Sequence, residues 1–293
     1  MEDAAFGVPG ALNERRASAP STTRAAAWER ALGARWPIVL GAYLVLAVAL
    51  AALMPLRDID LPMHLAIGEW IARHHAVPFT EPLAWTRWGA PYYAYSWLAQ
   101  VTAYGALAVV GPVGVHLMYA AIVAAAVVAV MLFGRLEGWR PWPTLLAAVL
   151  HFVVLTRVTP SMRPQVALWA LVPLAWVGAA WLRRSRGATG PLATLFVVSA
   201  LAANTHLLFP LTGVPVLVLL ANPPAERRRA LWGVVAVGAG WLCSPYGFVW
   251  PEVFRLNFAP NPLFRYPSPI MEYRPGFVGS MWVGVFLAAL PWL

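Results

Sequence analysis

The sequence predicts an all-α, polytopic transmembrane protein of about eight spans, with short juxtamembrane helices in its first outer loop. Three observations predict it. Of the 293 residues, 60% are hydrophobic and only 11% are charged, outside the usual composition of soluble domains. Apolar runs approaching span length recur from Trp36 to the end of the chain. The net charge of +9 comes from arginine alone, with no lysine, and most arginines sit in short segments between the runs, as in cytoplasmic loops. A nucleic-acid surface would need that charge clustered on a soluble face, so membrane lipids are the expected partner and nucleic acid is not. The single cysteine, Cys243, excludes an intrachain disulfide and a multi-cysteine metal site.

Residues 1–35 are rich in Ala, Arg, Ser and Pro and carry no signal-peptide core, so a disordered cytoplasmic tail is expected, with 36–293 as the membrane domain. Trp36–Leu56 is a charge-free run of span length and delivers residue 57 to the outer face. Further runs cover 97–110, 113–133, 142–156, 164–182, 191–203, 207–221, 230–243 and 279–293. If all crossed, Arg135, Arg140 and the Arg183, Arg184, Arg186 cluster would face outward, against the positive-inside tendency. The 97–110 run contains Gln100, Thr102 and Tyr104 and ends at Gly111-Pro112, so it is expected to lie at the outer interface, within an outer loop of 57–112. Every arginine cluster then faces inward, and Asn204-Thr205-His206 becomes an outer hairpin turn. The outer side thus gathers 57–96, 157–165, 204–206 and 244–278, and the last run, about fifteen residues, is expected to be an incomplete span. The expected location is the inner cell membrane, multi-pass, with the amino terminus in the cytoplasm.

Asp58 and Asp60 flank one residue at the membrane exit, and His64 follows Asp60 at helical spacing, so the three can converge. Such a cluster can supply a general base or hold Mg²⁺ or Mn²⁺ through Asp58 and Asp60; equally, the aspartates can cap a helix beginning near Pro62. Glu81 is a second acidic candidate in the same loop. Arg157 and Arg163 stand on the outer side, where topology disfavours them; phosphate binding would account for that position, as would snorkelling to headgroups. Asn204 and His206 occupy the third outer turn, as site groups or, for Asn204, as a turn cap. Glu272 lies in the last outer segment beside Arg274, a site group or one half of a surface pair.

The pattern Asp58-x-Asp60-x-x-x-His64-Leu65-x-x-Gly68-x-x-Ile71, with Val77-Pro78 and Trp97-Leu98, resembles the first outer loop of bacterial members of the GT-C glycosyltransferase superfamily. Arg163-Pro164-Gln165, Asn204-Thr205-His206, Ser244-Pro245-Tyr246-Gly247 and Glu272-Tyr273 follow in the order such proteins show, so the resemblance covers about residues 36–278. Thr205 and Ser244 depart from the commoner residues of the pattern. The resemblance implies a GT-C-like fold and inverting transfer of a hexosyl or pentosyl group from a polyprenyl-phosphate donor to an acceptor on the outer face. It implies an essential acid in the first outer loop, at Asp58 or Asp60; with the reading of the residues above, Asp58, Asp60 and His64 are the expected catalytic groups, and Arg157, Arg163, Gln165, Asn204, His206, Glu272 and Glu81 the expected substrate- or phosphate-binding ones. A lipid-linked-substrate transporter or flippase, and a non-catalytic scaffold of the same fold, are the alternatives.

Overall fold

The computed structural model describes residues 24–55, 58–158, 162–221 and 224–258, and these form helices and turns without a β-strand. The helices are α1 (Arg24–Leu53), α2 (Leu61–His74), α3 (Trp97–Val110), α4 (Pro112–Leu136) and α5 (Pro141–Val158) in the first part. They continue as α6 (Leu168–Arg184), α7 (Thr189–Ala203), α8 (Val214–Leu220), α9 (Pro224–Leu242) and α10 (Trp250–Phe258). α1 begins at Arg24, inside the segment expected to be a tail, where Ala25, Ala26 and Ala27 favour helix. Residues 279–293, the expected last span, lie outside the described residues.

Among the described residues, Arg35–Leu53, Pro112–Leu136 and Pro164–Arg184 are long and apolar enough to cross a membrane. A fourth candidate is bent: Glu226–Leu242 meets Gly247–Asn257 at 96°. Trp97–Val110, Pro141–Thr156, Thr189–Ala203 and Phe209–Leu220 are apolar but shorter. The chain therefore has several helices suited to a bilayer.

Packing follows the small residues, as expected where lipid removes the hydrophobic drive between helices. α7 lies along α9, with Gly240 so near the Phe196 carbonyl that any Cβ would overlap it. α4 packs on α5 and on the entry to α6 around Tyr119, Val123, Leu155, Val166 and Ala170, and the 77–95 loop docks on the α9–α10 corner through edge-on contacts of Tyr246 with Phe79 and Tyr93 at 5.4 and 5.5 Å.

The two ends of the bundle differ chemically. At one end, Glu137 after α4 pairs with Arg183 and Arg184 of α6, and Arg229 of α9 donates to the Leu182 and Ser185 carbonyls. Burial alone would raise the Glu137 pKa, but the two guanidiniums outweigh it and hold the carboxyl below its ordinary value. At the opposite end of the same helices stand Asp58, Arg163 and the Asn204–His206 turn.

A backbone vacancy inside α6 is filled from α5. Pro173 has no N–H, so the Trp169 carbonyl four residues earlier lacks its helical donor. His151 supplies one, its Nε2 donating at 2.9 Å, while its buried Nδ1 has no partner. An unsatisfied buried carbonyl costs about 1–3 kcal/mol, so His151→Phe is expected to lower the melting temperature, and Pro173→Ala in that background, by restoring an N–H, to recover it. Failure of the double variant to regain stability in detergent would refute this pairing.

Candidate functional site

The site begins where α1 ends. Asp58 Oδ1 accepts the Asp60 backbone N–H at 2.9 Å, a short local turn that fixes the two residues relative to each other. Asp60 occupies the N-cap position of α2, ahead of Pro62 in the first turn, yet its side chain makes no capping bond. Both carboxylates turn instead to Arg163, whose Nε lies 3.4 Å from Asp58 Oδ1 and whose terminal nitrogen lies 3.0 Å from Asp60 Oδ2. Arg163 is aimed by the extended backbone before Pro164, which opens the 3₁₀ turn Pro164–Ala167 leading into α6. Exposure separates the partners: the Asp58 side chain is wholly buried, whereas that of Asp60 is 42% exposed and that of Arg163 is 22% exposed. The other oxygen of Asp58, Oδ2, is buried without a hydrogen bond. Asp60 is therefore the carboxylate a solute can reach, and Asp58 the one that holds the others in place.

One turn into α2, His64 faces α3, where Gln100 Nε2 donates to its Nδ1 at 3.1 Å. The approach depends on Gly68, since a Cβ there would collide with the Gln100 carbonyl. Burial lowers the His64 pKa; Asp58 and Asp60 pull it up, Arg163 pulls it down, and burial prevails. His64 is thus neutral near pH 7, with its proton on Nε2. His64, Gln100 and Arg163, together with Met118, Ile122 and Met162, line a narrow cleft whose free room is about 10 Å³, that of a single water.

The Asn204–His206 turn stands near His64. Asn204 is committed to the fold: Oδ1 accepts from Trp97 Nε1 at 2.7 Å, Nδ2 donates to the Ala200 and Cys243 carbonyls, and its own carbonyl accepts from Leu98. His206 sits edge-on to Tyr95, and burial pushes its pKa down to about 4, the neighbouring His64 acting in the same direction. Thr205 donates to the Leu201 carbonyl inside the turn.

The remaining expected residues divide. Glu81 caps its own loop, accepting from the Leu83 and Ala84 N–H groups at 3.0 Å each. Gln165 is half-buried in the turn after Arg163. The Arg157 side chain and Glu272 lie outside the described residues. As arranged, one oxygen of each carboxylate of the Asp58–Asp60 pair is held by Arg163. Among the described residues no group of three His, Cys, Asp or Glu converges. Gln100 is the site group sequence reading missed as such; its signal was one amide within an otherwise apolar run.

Compared with protein-family models, curated proteins and solved structures, the chain matches none.

The lowered His206 pKa fixes a pH dependence. The unfolded chain takes up a proton below about pH 6.5, the ordinary histidine value, whereas the folded chain does so only near pH 4. Stability from a neutral His206 is complete above about pH 6.5 and is lost as pH falls toward 4. His206→Asn is expected to flatten the melting curve against pH over that window; an unchanged slope would count against the assignment.

Proposed function

We propose that the chain is a membrane glycosyltransferase of the GT-C type, moving a sugar from a polyprenyl-phosphate donor to a glycan, lipid or protein acceptor on the outer face. The observation that carries this reading is the pairing of a half-exposed carboxylate, Asp60, with a guanidinium, Arg163, over a buried second carboxylate, Asp58, at one end of an apolar helical bundle. Transfer needs those groups: a base for the acceptor hydroxyl and a fixed cation for the departing phosphate.

In this mechanism the donor phosphate takes the terminal nitrogen of Arg163, since guanidinium binds phosphate oxygens bidentately, and so releases Asp60 Oδ2. Asp60 accepts the proton of the acceptor hydroxyl, whose oxygen attacks the anomeric carbon. The bond from that carbon to the phosphate oxygen breaks on the opposite side, the electron pair leaves with the phosphate, and configuration inverts. Neutral His64 donates a hydrogen bond from Nε2 to orient a substrate hydroxyl. Asp58 keeps Asp60 and Arg163 in register.

The same reading includes eight crossings with the amino terminus in the cytoplasm of the inner membrane. The Glu137 end, with Arg183, Arg184 and Arg229, then faces inward and the site outward. α7, at 15 residues, spans about 22 Å, so the bilayer thins locally there.

Asp60→Asn is expected to reduce sugar transfer from polyprenyl-phosphate sugars about 10²- to 10⁴-fold in proteoliposomes while leaving the protein folded. Undiminished transfer would sink the mechanism. For topology, a cysteine at Gly187 in a Cys243→Ser background should label only from the inside with an impermeant reagent; outside labelling would reverse the map.

A further inference from the structure

Between α2 and α3 the chain makes a loop that is rigid and yet displays its largest apolar side chains to the surroundings. Its neck is closed by the isolated bridge between Thr80 and Pro91, with Glu81 N–H donating to the Ala90 carbonyl at 2.8 Å and Tyr92 N–H to the Phe79 carbonyl at 3.0 Å. Its interior is held by the Glu81 carboxylate on Leu83 and Ala84, and by a 3₁₀ turn over Trp85–Arg87. At the tip, Trp85 is 85% exposed and Trp88 is 72% exposed, with Leu83 exposed beside them. Arg87 lies between the two indoles in sequence, and among the described residues it forms no ion pair.

Two indoles and a leucine held outward by an ordered backbone form an apolar surface that calls for an occupant. A carbohydrate would need amide or carboxylate side chains to meet its hydroxyls, and the tip has only Thr86 and Arg87, its nearest carboxylate, Glu81, already being used by backbone N–H groups. A bilayer surface matches better: indoles favour the zone between headgroups and acyl chains, and a guanidinium meets lipid phosphate. We infer that the 83–88 tip dips into the headgroup region of the membrane and anchors the α2–α3 layer to it, with Arg87 on lipid phosphate. This requires only that the apolar helices cross a bilayer and holds whether or not the chain transfers sugar.

The test places an environment-sensitive fluorophore on a single cysteine in the Cys243→Ser background, at Trp85, at Thr86 or at Trp88, with Arg73→Cys at the exposed end of α2 as the reference. The full chain is reconstituted in phosphatidylcholine–phosphatidylglycerol vesicles. Tip labels are expected to emit at shorter wavelength than the reference and to lose emission when shallow spin-labelled lipids are included. The Thr86 position gives the same readout if a tryptophan replacement misfolds. Tip labels that emit as in water and are not quenched would overturn the inference, as would labels protected only after oligosaccharide is added. Because no transfer is measured, failure here is distinct from failure of the transferase mechanism.

Discussion

One guanidinium organises the Asp58 end of this protein. Asp58 and Asp60 stand one residue apart, and two carboxylates so close, one of them wholly buried, would repel each other without a cation between them. Arg163 supplies that charge and brings together the α1–α2 junction and the turn entering α6, segments 105 positions apart. The arrangement leaves Asp60 accessible because Asp58 takes the buried place. Removing the guanidinium would strand a buried negative charge, and breaking such a pair costs about 3–5 kcal/mol. The integrity of the fold and the chemistry of the site thus rest on the same side chain.

Much of this was legible in the sequence, in proportion to how local the physics is. The all-helical class and the long apolar helices at 112–136 and 164–184 follow from runs of residues that can only be buried in one another or in lipid. The arginine distribution foretold that Arg183 and Arg184 would gather away from Asp58, and they do so around Glu137. For Asp60, capping and chemistry were both open; the backbone takes the N-cap position while the carboxylate goes to Arg163.

What stayed hidden depends on partners distant in sequence. Gln100 reaches His64 across 36 positions, and nothing local marks its direction. Asn204 was weighed as a site group or a turn cap, but not as a tie whose amide joins α7, the start of α3 and the end of α9. The use of His151 to complete a helix broken by proline can be seen only once α5 and α6 lie side by side. Glu81, marked as a possible acid, serves its own loop because two backbone N–H groups lie within its reach.

The bundle and its cleft are unequal in their freedom to yield. Asn204 clamps α3, α7 and α9 where they meet, and the Glu137 and Arg229 contacts clamp α4, α6 and α9 at the other end, so splaying the bundle would break several buried polar contacts together. On the side formed by α4 and the entry to α6, the lining includes Met118 and Met162, unbranched thioethers with three rotatable bonds apiece. Plasticity is concentrated there. Rotamer exchange of these two methionine side chains changes the width of the cleft while the polar groups opposite keep their spacing.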